Sequence, residues 1–106
     1  MTAIRAPRGL KPSGSRLWKR VITEFEPEEH ELTVLLQACR IADTLDRLQE
    51  SIDSGEVIVT TPHGARANPA IVEFRQQAIT LAKCMAALRI PAESVTQASF
   101  PLRSVR

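Results

Sequence analysis

The chain is poor in aromatic residues and in cysteine. Among its 106 residues there is no tyrosine, one tryptophan, three phenylalanines and two cysteines. The core must be largely aliphatic, and a chain of this length buries roughly two-thirds of the surface that its unfolded form exposes. Cys39 and Cys84 fall on apolar helical faces, which favours reduced core thiols in a cytosolic protein. The sequence leaves a disulfide between them open.

Long hydrophobic runs are also missing. A helix needs about 20 apolar residues to cross a bilayer, and the longest apolar runs here are much shorter. The N-terminus is basic but lacks the apolar segment of a signal peptide. We expect no membrane partner and no secretion.

The motifs of common enzymes are missing as well. The sequence has no His-Glu-x-x-His, no Cys-x-x-Cys, no phosphate-binding glycine loop and no dinucleotide fingerprint. Its two histidines, His30 and His63, are separated by a full predicted helix, and His63 is expected in a solvated turn. The sequence predicts a protein that is not an enzyme and that uses no cofactor.

Three carboxylates in the middle of the chain resemble a metal site at first. Asp43 and Asp46 are three residues apart, and Asp46 and Glu50 are four apart. Arg40 and Arg47 are interleaved with them, so ion pairs four residues apart on a solvated helical face explain the pattern more simply. We predict no metal site.

Charge is segregated along the chain. Residues 24–31 carry five glutamates, whereas residues 1–20 carry six basic side chains and no acidic one. Cations on a surface or a flexible arm can bind phosphates, so the basic set is the predicted DNA-binding set. Its members are Arg5, Arg8, Lys11, Arg16, Lys19 and Arg20. The same segregation of charge also suits head-to-tail pairing of subunits. The net charge of +2 does not distinguish DNA binding from subunit pairing.

Three helices are predicted. Ser13 or Ser15 is expected to cap a first helix that runs to about Phe25. Pro27 is expected in the first turn of a second helix of roughly 27 residues, about 40 Å long. The third helix runs from Pro69 to about Arg89. Apolar seams on the second and third helices supply the predicted hairpin or oligomer contacts: Leu35, Cys39, Leu45, Ile71, Phe74, Leu81, Met85 and Leu88.

A small β excursion is predicted between the second and third helices. Gly55 is expected to end the second helix in a left-handed conformation. The β-branched residues 57–59 favour an extended strand, and Pro62-His63-Gly64 supplies a turn. Asn68 then precedes Pro69 as a helix cap.

The predicted fold is mainly α. A long antiparallel helical hairpin carries a short N-terminal helix and a small β-hairpin, in an oligomer. Residues 1–13 form a basic flexible arm, residues 14–90 a helical oligomerisation domain and residues 91–106 a C-terminal tail with Phe100 as an anchor candidate.

Several soft patterns follow one another in order along residues 14–90. They are Leu17, Trp18, Val21, Ile22 and Phe25 in the first helix; Leu35, Cys39 and Asp43 in the second; then Gly55, the turn at Gly64, Asn68-Pro69 and a helix end near Leu88. This order resembles the small terminase subunits of tailed bacteriophages, in the family that has a long helical hairpin with a β excursion.

The resemblance implies a non-enzymatic packaging factor in the host cytoplasm. Small terminases form rings, recognise viral DNA at or near the packaging site, and recruit and regulate the large subunit, which supplies the ATPase and nuclease. The expected partners are a homo-oligomeric ring, viral double-stranded DNA and the large terminase subunit. The hairpin would build the ring, and basic segments would face DNA.

Two other functions stay open from the sequence. One is a helical oligomer with no nucleic-acid role, whose charged blocks pair its subunits. The other is a small regulator that binds one protein partner through the Leu/Met seam. Salt-dependent DNA binding separates the terminase hypothesis from the oligomer without a nucleic-acid role. A fixed one-to-one complex with a host protein would favour the regulator.

Overall fold

The computed structural model describes residues 4–91, which form three helices and one two-stranded antiparallel sheet. The helices are α1 (Pro12–Phe25), α2 (Glu31–Ser54) and α3 (Pro69–Ala87). Strands β1 (Ile58–Thr61) and β2 (Gly64–Ala67) lie between α2 and α3. The mainly helical prediction with a small β-hairpin is confirmed. The predicted tail beyond residue 91, with Phe100, lies outside the described residues.

Helix α2 is the centre of the fold, and both α1 and α3 pack on it. The buried core is aliphatic apart from one indole ring. Its members are Leu17, Trp18 and Val21 from α1; Leu35, Ala38, Cys39, Ala42 and Leu45 from α2; and Leu81, Met85, Leu88 and Ile90 at the end of α3 and just after it. Spacings of three and four residues place each set on one helical face.

The α2–α3 hairpin is well buried at one end only. Within the described part, α2 has no buried residue after Leu45, and α3 has none before Leu81. Of the eight predicted packing residues, Ile71 and Phe74 are only half-buried, because they lie in this outer half, where α1 does not reach. The other six are buried core members: Leu35, Cys39, Leu45, Leu81, Met85 and Leu88.

The β-hairpin closes through a two-residue turn. Thr61 pairs with Gly64, which leaves Pro62 and His63 as the turn residues. Gly64 has a φ of +113°, a conformation that side chains with a Cβ rarely adopt. The Thr61 hydroxyl donates to the Gly64 carbonyl at 2.7 Å and accepts from the His63 N–H at 3.2 Å. The predicted turn is confirmed.

Asn68 joins the β-hairpin to α3. Its Oδ1 accepts from the Ala70 N–H at 2.9 Å, and its Nδ2 donates to the Glu56 carbonyl at 2.8 Å. The side chain is buried although it is polar, because both ends of the amide have partners. The predicted cap before Pro69 is confirmed.

The predicted start of α1 is wrong. The helix begins at Pro12 with Lys11 as its N-cap residue, and neither Ser13 nor Ser15 caps it. The Lys11 ammonium group has no acceptor and so cannot cap the helix, and a carboxylate from α2 accepts the N–H groups at this end.

The predicted start of α2 is also wrong. The chain leaves α1 through Glu26 in a left-handed conformation with φ of 45°, and α2 begins at Glu31 and not near Pro27. The Glu31 carboxylate accepts from the Glu28 N–H at 2.8 Å, which satisfies a backbone donor just before the helix. At its other end α2 stops at Gly55 as predicted, but with an extended φ of −112° and not a left-handed one.

No helix within residues 4–91 combines the length and the apolar content that a bilayer span requires. Helix α2, with 24 residues, is about 36 Å long and carries charged residues at its start and throughout its second half.

Helices α1 and α2 approach most closely at Gly14. An ideal Cβ on this residue would lie 2.5 Å from Oδ2 of Asp43 and 2.6 Å from the carbonyl oxygen of Cys39. Real Cβ atoms do not come so close to backbone, so any side chain at Gly14 pushes the helices apart.

We expect Gly14→Ala to lower the free energy of unfolding by about 1–2 kcal/mol, because overpacking outweighs the roughly 1 kcal/mol that alanine gains in a helix. Urea unfolding followed by circular dichroism measures the change. Thr23→Ala, on the exposed side of α1, is the control and should change stability little. Unchanged or higher stability of Gly14→Ala would contradict the close approach.

A second prediction compares two positions on α3. Leu81 is 3% exposed in the core, whereas Ile79 is 48% exposed on the opposite side. Leu81→Asp should unfold the protein or lower its stability by several kcal/mol, because it buries an unpaired charge. Ile79→Asp should leave the melting temperature of the monomer nearly unchanged. Equal effects of the two substitutions would show that the described core is wrong.

Candidate polyanion-binding cleft

The N-terminus of α1 is capped by a carboxylate from α2. The N–H of Lys11 donates to Oδ2 of Asp43, and the N–H of Gly14 donates to Oδ1, each at 2.7 Å. Asp43 is 8% exposed. A carboxylate at a helix N-terminus gains from the helix dipole and from charge-assisted hydrogen bonds. The prediction that Asp43 lies on a solvated face in ion pairs is therefore wrong.

Further hydrogen bonds hold the N-terminal residues on the helices. The Ser13 hydroxyl donates to Asp46, and Nη2 of Arg16 donates to the Ser13 hydroxyl at 3.1 Å. The indole N–H of Trp18 donates to the carbonyl oxygen of Ile4 at 3.1 Å. Residues 4–14 thus contact the folded body at several points, and the predicted domain boundary at residue 13 falls inside α1.

A surface cleft of about 310 Å³ lies between the N-terminal segment and the middle of α2. Its lining residues are Arg8, Gly9, Leu10 and Lys11 on one side and Arg40, Asp43, Thr44 and Arg47 on the other. Gly9 has a φ of +95° within a turn at residues 8–9, which directs the chain along α2. The cleft brings together residues about 30 positions apart in sequence.

The charge that lines the cleft is mostly positive. Four of its lining side chains are cationic, and Asp43 is its one carboxylate. Both oxygens of Asp43 already accept backbone N–H groups. Within residues 4–91, the ion pair shorter than 4 Å joins Arg20 to Glu24, at 2.6 Å, and none involves a cation of the cleft. The cleft is a site where an anion would find unpaired positive charge.

The six predicted DNA-binding residues are not all in one place. Arg8 and Lys11 line the cleft, and Arg5 and Lys19 are exposed outside it. Arg16 bonds the Ser13 hydroxyl, and Arg20 pairs with Glu24. The structure assembles two of the six into a site, and the other four lie around it or along α1.

Sequence reasoning missed two residues of the cleft. Arg40 and Arg47 were expected to pair with neighbouring carboxylates, but both are exposed and line the cleft. They lie seven residues apart, which places them on one face of α2 about 10 Å apart along the axis. The seven-residue spacing indicates a shared cationic face of α2, but the neighbouring carboxylates favoured the prediction of ion pairs.

The thiols and carboxylates offer no reactive site. Burial, with a contribution from the Asp43 carboxylate, raises the pKa of the Cys39 thiol to about 12. Burial also raises the pKa of Cys84 above its usual range. Both thiols are free and stay protonated at neutral pH. Residues 4–91 contain no group of three or more His, Cys, Asp or Glu side chains placed to hold a metal ion.

Comparison of the chain with models of known protein families, with characterised proteins and with solved structures found no match. Guanidinium and ammonium groups converge in the cleft beside the hydroxyl of Thr44 and the carboxylate of Asp43, which accepts two backbone N–H groups. This arrangement suits the binding of an anion.

The capping role of Asp43 yields a stability prediction. Asp43→Asn keeps the size of the side chain but replaces one acceptor oxygen with a donor, which leaves a backbone N–H of α1 unpaired. We expect the free energy of unfolding to fall by about 1–3 kcal/mol in thermal or urea unfolding. Asp53→Asn, on the exposed end of α2, should change it by less than about 0.5 kcal/mol. Equal stability of the two variants would argue against the cap.

Proposed function

We propose that this chain is a small terminase subunit of a tailed phage or a related element. In this role it binds viral double-stranded DNA through phosphates, assembles into a ring in the host cytoplasm, and recruits and regulates the large terminase ATPase-nuclease. It performs no chemistry itself.

The observation that carries DNA binding is the cationic surface at the N-terminal end of α1. Lys11 is held there because its N–H and that of Gly14 are hydrogen-bonded to Asp43, and Arg8 lines the same cleft three residues earlier. Arg5 and Lys19 add exposed charge nearby along the chain. Cations on a fixed backbone lose less conformational freedom on binding phosphate than cations on a free arm.

The long hairpin supports assembly with further copies. Its outer half has no buried apolar side chain in the described residues, and a pair of helices alone cannot cover its own seam. Val57 and Ile58 at the β-hairpin are 66% and 53% exposed. An isolated two-stranded hairpin is marginally stable in water, so burial against a neighbouring subunit would stabilise this end.

The proposal is tested by native mass and by salt-dependent DNA binding. Light scattering in moderate salt should give one closed assembly of many copies. Binding of a duplex should weaken linearly on a log–log plot against salt, with a slope of about −0.9 for each phosphate contacted. Replacing Arg5, Arg8 and Lys11 together with alanine should make that slope shallower by up to about 2.7 if each contacts one phosphate.

A matched control removes the same charge elsewhere. Arg66, Arg75 and Lys83 are exposed on β2 and α3, away from the cleft, and their joint replacement with alanine should leave the slope nearly unchanged. Equal loss in both triple variants would mean that net charge alone drives binding. A clean monomer that does not bind duplex would refute the proposal.

A partner-binding regulator is the second candidate, and one observation favours it. Val72 and Ile79 are 42% and 48% exposed and lie seven residues apart on α3, where they form an apolar stripe on the side away from Leu81. A monomer with no affinity for DNA, found in a fixed one-to-one complex that Ile79→Asp disrupts, would select this function over the terminase role.

A further inference from the structure

Arg40 and Arg47 have no role in the fold that the structure reveals. Both side chains are exposed on α2, neither belongs to the core, and neither forms an ion pair within residues 4–91. Asp43 is the one carboxylate that lines the same cleft. Both of its oxygens accept backbone N–H groups at the start of α1. Two arginines on a rigid helix are thus left with unfilled donors.

The opposite wall of the cleft supplies two more cations. Arg8 and Lys11 come from the segment before α1, and the turn at residues 8–9 places them across from α2. The position of Lys11 is fixed by its own N–H, which donates to Asp43 at 2.7 Å. An anion in the cleft would meet positive charge from both walls.

The size and lining of the cleft restrict the class of anion. Its volume of about 310 Å³ is at the lower limit of small-molecule sites, which is enough for a phosphate group but not for a protein segment with its own fold. Leu10 is the one apolar side chain in it, and no aromatic ring lines it. Nucleobases are held mainly by stacking on aromatic rings, so the cleft suits the phosphate and not the base.

We propose that the cleft is a phosphate subsite for the DNA backbone, with Arg40 and Arg47 as contact residues on α2 and Arg8 and Lys11 closing it from the other wall. The planar guanidinium fork matches phosphate oxygens in pairs. This inference rests on the proposed DNA-binding function and adds α2 to the DNA-binding surface. Contacts to phosphates carry no base information, so this subsite binds all sequences alike.

The test measures binding of the full chain to a fluorescent 20-base-pair duplex across a salt series. Arg40→Ala/Arg47→Ala should raise the dissociation constant about tenfold or more at low salt and make the log–log salt slope shallower by about 1–2. The control, Arg66→Ala/Arg75→Ala, removes the same charge from exposed positions outside the cleft and should change the constant less than about threefold. Both pairs are exposed, so circular dichroism should find both variants folded.

A parallel titration with inorganic pyrophosphate separates the two sources of phosphate. If the wild-type protein binds duplex and both double variants lose affinity equally, the subsite is overturned and the proposed function stands. The same holds if neither variant loses affinity. If the protein does not bind duplex but binds pyrophosphate in a way that depends on Arg40 and Arg47, the DNA-backbone assignment and the proposed function are both refuted. The cleft is then a site for a small phosphate compound. No binding to either probe overturns both proposals.

Discussion

One carboxylate holds the N-terminal third of the molecule together. Asp43 accepts the N–H groups of Lys11 and Gly14, so a single side chain ties the start of α1 to the middle of α2. The contact requires that position 14 carry no side chain, since a Cβ there would lie 2.5 Å from the same carboxylate. Because Asp43 is occupied by backbone, the arginines around it keep their charge free. The contact that stabilises this end of the molecule therefore also leaves the positive charge of the cleft without an ion-pair partner within residues 4–91.

Elements defined by neighbouring residues were predictable from the sequence. The β-branched run before Thr61, the turn before Gly64 and the Asn68-Pro69 cap each depend on residues only a few positions apart, and each was found where expected. The start of α1 was not predictable in this way. Its cap comes from a residue 32 positions away from Lys11, and local patterns contain no trace of such a partner.

The candidate site was only half predictable, for a related reason. Composition alone pointed to Arg8 and Lys11, because basic residues without acidic neighbours stand out in a sequence. Arg40 and Arg47 lie beside acidic residues in the sequence. Whether they form ion pairs or keep free charge depends on whether Asp43 faces solvent or the protein interior. Helical spacing is the same in both cases. In the folded protein Asp43 is buried against α1 and accepts backbone N–H groups there, so it is not available as an ion-pair partner for the arginines.

The position of Trp18 gives the molecule an optical property of its own. It is the single tryptophan of the chain, it is 5% exposed, and its indole N–H is bonded to the carbonyl oxygen of Ile4. Indole emission shifts to longer wavelength when the ring meets water. Release of the N-terminal segment from the core would therefore be visible as a fluorescence change, while unfolding at the far end of the hairpin would leave the emission unaltered.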